Sequence, residues 1–494
     1  MYNIIDYGAI ADGKTVNTGH IQKAIDDCAG KGGGTVYFPA GEFISGTLYL
    51  KSHVTLHMET GAVLRGSKDV SDYPVTVPDG ISKDAEFTRS LIYGENLKHV
   101  GITGHGIIDG NSGAFFQDLQ ELRASDYMAW RKLRPFNVRI VGCEHVVIKD
   151  VTLMNACAWC VHCRGCGNLQ IGGIALDSRQ KGVPNADGID LDGCENVRIS
   201  DCDITSSDDA LVIFGKTSKN IVIANCLLSS NCHAFKIYGS GAFQNICLNN
   251  CIIHDTNRGG ISLQLHNGCR LDNLSVSNVI MDRVKCALWI QQTGSPGHEP
   301  EGSVSDISIS NIQAKGADSI GCLITGTPAF PLKNVTLSNI RIAFAGGGTK
   351  DLAELEIGEL PEHDESVFGK KLHQRLNNHN QFGMLPAYGF YCRHAEGLVM
   401  ENIGLSYESA DHRPAVYFKD VRDSRLSGLR ASYEEDAGSL VVIDGSQNIV
   451  INGCDATGRI GALARLLKCS NHIHFAGNNI SGQADPDFSQ EKLG

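Results

Sequence analysis

No stretch of the chain approaches the roughly 18 consecutive apolar residues of a membrane-spanning helix. The opening Met1-Tyr2-Asn3-Ile4-Ile5-Asp6 enters structured sequence at once, without a basic stretch followed by an apolar one. A membrane segment and a secretory leader are both missing, so the expected location is the cytoplasm and no membrane partner is expected. Positive charge is also short: 43 Lys and Arg against 55 Asp and Glu leave a net charge of -12. That balance argues against nucleic acid and acidic membrane surfaces as partners, while leaving room for a local basic pocket. Aromatic residues make up only 7% and glycines number 56, a composition of tight turns and short strands rather than helical bundles.

Eighteen cysteines without a leader read as free, mostly buried thiols in a reducing compartment. Cys157, Cys160, Cys163 and Cys166 have a spacing similar to an iron–sulfur motif, but Gly167 stands where that motif has proline. A spacing of three along a strand also sends successive side chains to opposite faces. These cysteines are therefore expected to be structural, and no metal or cofactor is called for.

What the chain does have is a repeat. Val100-Gly101-Ile102, Val146-Val147-Ile148, Leu169-Gln170-Ile171, Val197-Arg198-Ile199 and Ile221-Val222-Ile223 align with one another. The series continues through Ile246, Leu274, Ile307, Val335, Leu398, Ile449 and Ile473. From Leu169 to Val335 it returns with a nearly constant period, most intervals falling in the twenties. Short alternating strands at such a period, with Asn and Gly turns, predict an all-β chain folded as a parallel β-solenoid over residues 1–494. Each coil stacks on its neighbour to bury a shared core, and recurring Asn, Ser and Cys positions predict ladders along the turns. A short amphipathic helix is expected over Thr18–Cys28, within a cap formed by residues 1–45. The rhythm breaks over 344–395, read as a long insertion over the solenoid's side. Shorter breaks fall at Ala114–Lys132 and Gly294–Ser303.

Residues one period apart in a solenoid sit roughly 4.8 Å apart along its axis. The steps from Asp187 to Asp209, from Asp209 to His233 and from His233 to Arg258 each match the local period. Asp187, the Asp208–Asp209 pair, His233 and Arg258 are thus expected on successive coils of one face. Crowded carboxylates cannot all ionise freely, so one is expected to hold a proton near neutral pH. A carboxylic acid beside carboxylates that orient a water is the equipment of glycoside hydrolysis. Adjacent Asp208 and Asp209 cannot both face outward from a regular strand, so a turn must present them. Asp190, Asp192, Asp201 and Asp203 are expected to cap turns or face solvent. Trp159 and His162, one coil earlier, are candidates to stack on or hydrogen-bond a sugar.

Pro184-Asn185-Ala186-Asp187-Gly188, Asp208-Asp209 and Cys232-His233-Ala234 together resemble family 28 of the glycoside hydrolases, the polygalacturonase and rhamnogalacturonan-hydrolase group. The likeness spans nearly the whole chain. It implies a right-handed parallel β-helix that cleaves pectin-type oligosaccharides with inversion, using no cofactor. It further implies Asp208 as general acid, Asp187 and Asp209 holding the nucleophilic water, His233 assisting, and Asn185 beside them. The family's Arg-Ile-Lys reads Arg258-Gly259-Gly260 here, with Lys236 as a candidate replacement cation. Galacturonate and rhamnose are therefore both open as the sugar, and the expected action is at a chain end. A lyase or epimerase on the same fold, and a non-catalytic carbohydrate-binding solenoid, are the alternative readings. Oligomeric state is left open.

Overall fold

The computed structural model describes residues 1–78, 88–117, 120–180, 183–293, 302–358, 383–457, 462–468, 470–479 and 488–490. The chain divides into two compact units, Met1–Cys232 and His233–Gly494. Each is built from coils of a right-handed parallel β-helix.

In the first unit the aligned apolar triplets are the strand register. Val100 pairs with Val146, Val146 with Leu169, Leu169 with Val197, and Val197 with Ile221. These side chains are buried while their strand neighbours Gln170, Arg198 and Val222 face out, the alternation that a pleated strand imposes. The helix Thr18–Gly30 forms where its pattern predicts, burying Ile21, Ala24, Ile25 and Cys28 along one stripe. The break at Ala114–Lys132 is helical, in three short pieces: Ser112–Gln117, Gln120–Ser125 and Tyr127–Leu133.

The second unit continues the same rule: Ile246 pairs with Leu274, Leu274 with Ile307, Ile307 with Val335, and Ile449 with Ile473. Its turns are held by an asparagine ladder. Asn278, Asn311, Asn339 and Asn402 all sit at φ between 52° and 55°, a left-handed conformation that asparagine tolerates. Each donates its side-chain amide to the previous rung: Asn311 to Asn278 at 2.9 Å, Asn339 to Asn311 at 3.1 Å, and Asn402 to Asn339 at 2.7 Å. At a different turn, in the first unit, His53, His99 and His145 each precede a core strand and stack their rings at 5.3 and 4.6 Å. Asn311→Ala removes two ladder bonds and leaves a β-carbon in a strained turn. We expect a loss of about 2 kcal/mol by urea unfolding, with Asn311→Gly losing less because glycine relieves the strain.

The long insertion is narrower than its sequence bounds. The strand Leu332–Gly346 runs past Phe344, and the next begins at Phe390. Residues 359–382 of that insertion, and 294–301 of the Gly294–Ser303 break, lie outside the described residues. The two described ends of the insertion are pinned by fully buried guanidinium groups. Arg413 pairs with Asp411 at 2.6 Å and donates to the carbonyls of Leu385 at 2.9 Å and Ser319 at 2.6 Å. Asp411 in turn accepts from the backbone N–H of Gly348 at 2.9 Å. A β-carbon at Gly348 would lie 2.2 Å from Arg413 Nε, so only glycine lets the chain pass here. Arg393 donates to the Ile357 carbonyl at 3.2 Å and the Gly358 carbonyl at 2.8 Å. Ile357 and Leu385 bury their side chains in one cluster with Trp289 and Tyr391.

Candidate active site

In the first unit, strands Val161–Arg164, Ile189–Asp192 and Leu211–Phe214 lie in register. The ladder continues into the turns before them: Cys160 N–H donates to the Asp187 carbonyl and Gly188 N–H to the Asp209 carbonyl, both at 2.9 Å. Trp159, Asp187 and Asp209 are therefore stacked on consecutive coils. Gly188 makes that approach feasible, because a β-carbon there would meet the Ala210 carbonyl oxygen at 2.3 Å.

Asp208 and Asp209 sit in the bend between strands Asp203–Ser206 and Leu211–Phe214, outside regular strand geometry. The bend resolves the parity problem and sends both side chains to the site. One carboxylate oxygen from each of Asp187, Asp208 and Asp209 lies within 4.8 Å of the others. Asp187 and Asp209 are buried, and Asp208 is half-buried. Such an oxygen set would also suit a hard divalent cation. The Asp208 carbonyl accepts the hydroxyls of Ser206 and Ser230, and its Oδ1 accepts the Asp209 N–H at 3.1 Å.

Asn185 joins this group in a left-handed turn at φ 51°. Its amide Nδ2 donates to Asp208 Oδ2 at 3.2 Å. The Tyr127 hydroxyl donates to Asn185 Oδ1 at 3.3 Å, which fixes which end of the amide meets Asp208. Arg134 holds the turn from beneath, donating to the Cys157 carbonyl at 2.6 Å and also to the Pro184 carbonyl. Its guanidinium is fully buried, 4.5 Å from the Trp130 ring centre. Burial lowers its pKa to about 10, still charged at neutral pH. Tyr127 belongs to the helical break and Arg134 follows its last helix, and neither was legible as a site residue.

Trp159 and His162 line the coil before Asp187. His162 is buried, stacked 5.3 Å from Phe136 and edge-on to Trp159 at 5.1 Å. Burial lowers its pKa and keeps the ring neutral. Asp190 and Asp192 depart from expectation: both are buried in a strand, neither capping a turn nor facing solvent. Their side chains point out of the coil core but are covered by neighbours. Asp192 accepts from Arg164 at 2.9 Å and stands 3.6 Å from His162. Burial alone would raise its pKa, but these two partners outweigh it and hold the carboxyl below its usual range. Asp201 does occupy a turn, at φ 58°, and Asp203 is exposed.

The remaining candidates lie in the second unit. His233 is fully buried, with Gln264 Nε2 at 3.2 Å from its Nε2. Lys236 is also buried, its ammonium 4.7 Å from the Tyr238 ring centre. Arg258 is not in the His233 column. Phe235 pairs with Ile261 and the Ala234 N–H donates to the Gly259 carbonyl, which places Gly259, and not its neighbour Arg258, opposite His233. The register shift between Thr256 and Gly259 takes up the extra residue. The four cysteines of the C-x2-C run are all buried, and burial pushes up the thiol pKa of Cys157, Cys160 and Cys163.

A parallel β-helix that gathers three carboxylates and an asparagine from the stacked turns of two neighbouring coils is built for acid–base work on extended sugars. The sequence profile of glycosyl hydrolases family 28 matches residues 28–358, and the chain belongs to that family. It is a glycoside hydrolase. A Vitis vinifera protein named "Probable polygalacturonase" is 30% identical over 379 residues, covering 70% of this chain and 75% of its own. The Arabidopsis thaliana "Exopolygalacturonase clone GBGE184" is 24% identical, covering 75% of this chain and 86% of its own. Among solved structures, an exopolygalacturonase from Thermotoga maritima matches with a TM-score of 0.59. At 19% identity, covering 82% of this chain and 91% of that one, it attests the fold.

Removing the guanidinium that holds the Pro184–Asn185 turn should misplace Asn185 and Asp187 together. Arg134→Met is expected to lower kcat by about 10–100-fold, and Tyr127→Phe by less, because it removes a single donor. Steady-state hydrolysis rates of the folded variants check this.

Proposed function

We propose that this hydrolase cleaves pectin-type oligosaccharides, at galacturonate- or rhamnose-containing linkages, by single displacement with inversion. In this reading Asp208 protonates the leaving oxygen while Asp187 and Asp209 hold and activate the water. The observation that carries the acid–base reading is the convergence of one oxygen from each of these three carboxylates within 4.8 Å, while inversion is what the resemblance to family 28 implies. The half-buried Asp208 is reachable by a glycosidic oxygen, while the two buried aspartates are suited to grip a small water. Trp159 and His162 are proposed to line the sugar's path. For His233 and Arg258 the support is the sequence resemblance, and Lys236 is proposed as the cation in place of that motif's missing lysine.

The relatives named above carry polygalacturonase or exopolygalacturonase names, which supports a galacturonate substrate and end-directed action. The cytoplasmic assignment rests on the free thiols, all but one of them buried among the described cysteines. Fractionation of the native cells tests that location.

The function is tested by incubating the enzyme with pectic oligomers labelled at one end, following both product length and anomer by NMR. Inverting enzymes space their carboxyl groups roughly 6.5–9.5 Å apart and retaining ones about 5–5.5 Å. Inverted monosaccharide as the only early product is the expected result. Retention would overturn the displacement mechanism, mid-chain cuts the exo action, and inertness toward every pectic oligomer the substrate class.

A further inference from the structure

The second unit contains a cavity of about 170 Å³ between the first residues of the insertion and the sheet face. Tyr391, Tyr417, Asp444, Arg465 and Lys468 line its sheet side, and Glu354 and Glu356 its insertion side. The strand ladder sets its position. Lys236 pairs with Ser262, Ser262 with Trp289, Trp289 with Leu323, Leu323 with Tyr391 and Tyr391 with Tyr417. Tyr417 therefore stands in the same column as Lys236, five rungs on, roughly 24 Å along the axis at the usual strand spacing.

Three features of the cavity point to a ligand. Asp444 is 3% exposed, and its Oδ1 has no hydrogen-bond partner. Its Oδ2 accepts the Tyr417 hydroxyl at 3.4 Å and lies 3.6 Å from the Lys468 ammonium. A buried carboxylate oxygen without a donor is costly, and a ligand hydroxyl would relieve it. Tyr417, backed edge to face by the buried Tyr391 at 5.4 Å, offers ring surface to the apolar side of a sugar. Finally, Arg465 pairs with Glu354 at 2.6 Å and Lys468 with Glu356 at 3.2 Å. Both glutamates are exposed, and such surface pairs hold weakly, so another carboxylate can take their place.

We propose that this cavity binds one uronic-acid residue of a pectic chain. A sugar hydroxyl donates to Asp444 Oδ1, the ring lies against Tyr417, and the uronate carboxylate meets Lys468 and Arg465 in exchange for Glu356 and Glu354. The site holds a remote part of the substrate and performs no chemistry. It rests on the pectic reading proposed above and adds a second recognition point to it.

The test is calorimetric titration of the full chain carrying Asp208→Asn, so that nothing turns over, with D-galacturonate and separately with D-galactose. Galacturonate is expected to bind, with a component that Asp444→Asn and Lys468→Met each weaken roughly tenfold or more. Galactose, which lacks the carboxylate, is expected to lack that component. Lys468 is half-exposed, so its replacement keeps the experiment decisive if Asp444→Asn does not fold. Galacturonate binding unaltered by Lys468→Met, or galactose bound equally well, overturns the proposal. Hydrolysis of pectic oligomers by the unaltered enzyme is measured alongside. Turnover without cavity binding sinks this inference alone, whereas no turnover of any uronate substrate sinks the reading beneath it.

Discussion

Asp208→Asn is expected to lower kcat by about 10³–10⁴-fold on natural oligosaccharides, with little change in KM. The substitution keeps the shape of the side chain, and an amide oxygen can still accept from Asn185 Nδ2, now 3.2 Å from Asp208 Oδ2. What is lost is the proton for the departing sugar oxygen. A synthetic glycoside with a nitrophenol leaving group needs that proton far less, so the variant should recover much of its rate there. Asp187→Asn and Asp209→Asn, which impair the water instead, should stay slow on both substrates. An equal loss for Asp208→Asn on both would remove Asp208 from the acid role. Thermal unfolding of each variant separates lost chemistry from lost fold.

The largest expected effect on stability is at Arg413. Its guanidinium and the Asp411 carboxylate are both fully buried and 2.6 Å apart. Removing one member strands the other's charge away from water, which typically costs about 3–5 kcal/mol. Arg413→Ala also abandons the carbonyls of Leu385 and Ser319. We expect a loss at the upper end of that range in chemical denaturation, against a small effect for Arg283→Ala, which breaks two exposed pairs, with Asp255 and Asp282. Replacing both partners, as in Asp411→Leu with Arg413→Met, should be less damaging than Arg413→Ala, because no lone charge remains buried.

The coil register was legible because it rests on one physical pattern, an inward apolar residue returning once per turn. Val146, Leu169 and Val197 announce it by spacing alone. The acidic turn was legible for a related reason: Asp187 and Asp209 are separated by the same interval as Ile189 and Leu211, which pair in the sheet. Arg258 was misplaced by one position because a bulge adds a residue, and nothing in Asn257-Arg258-Gly259-Gly260 reveals on which side of it the side chain falls. Asp190 and Asp192 were misjudged for another reason. Strand alternation tells which side of the sheet a residue faces, but not whether that side is covered, and here His162 and Arg164 cover it. Arg134 and Tyr127 escaped because their contacts to Asn185 span 51 and 58 residues from outside the repeat. Long-range side-chain pairing leaves no period to read.

The anchors of the insertion have a bearing on how this enzyme can change. Arg413 and Arg393 grip Leu385, Ile357 and Gly358 by their carbonyl oxygens. A backbone carbonyl is present whatever side chain the residue carries. Hydrogen bonding at these points is therefore blind to the local sequence, apart from the burial demanded of Ile357 and Leu385 and the bare α-carbon demanded of Gly348. Side chains between the anchors can mutate while the path of the chain at its two ends persists. The attachment of these two ends is thereby insulated from most sequence change at the residues it holds.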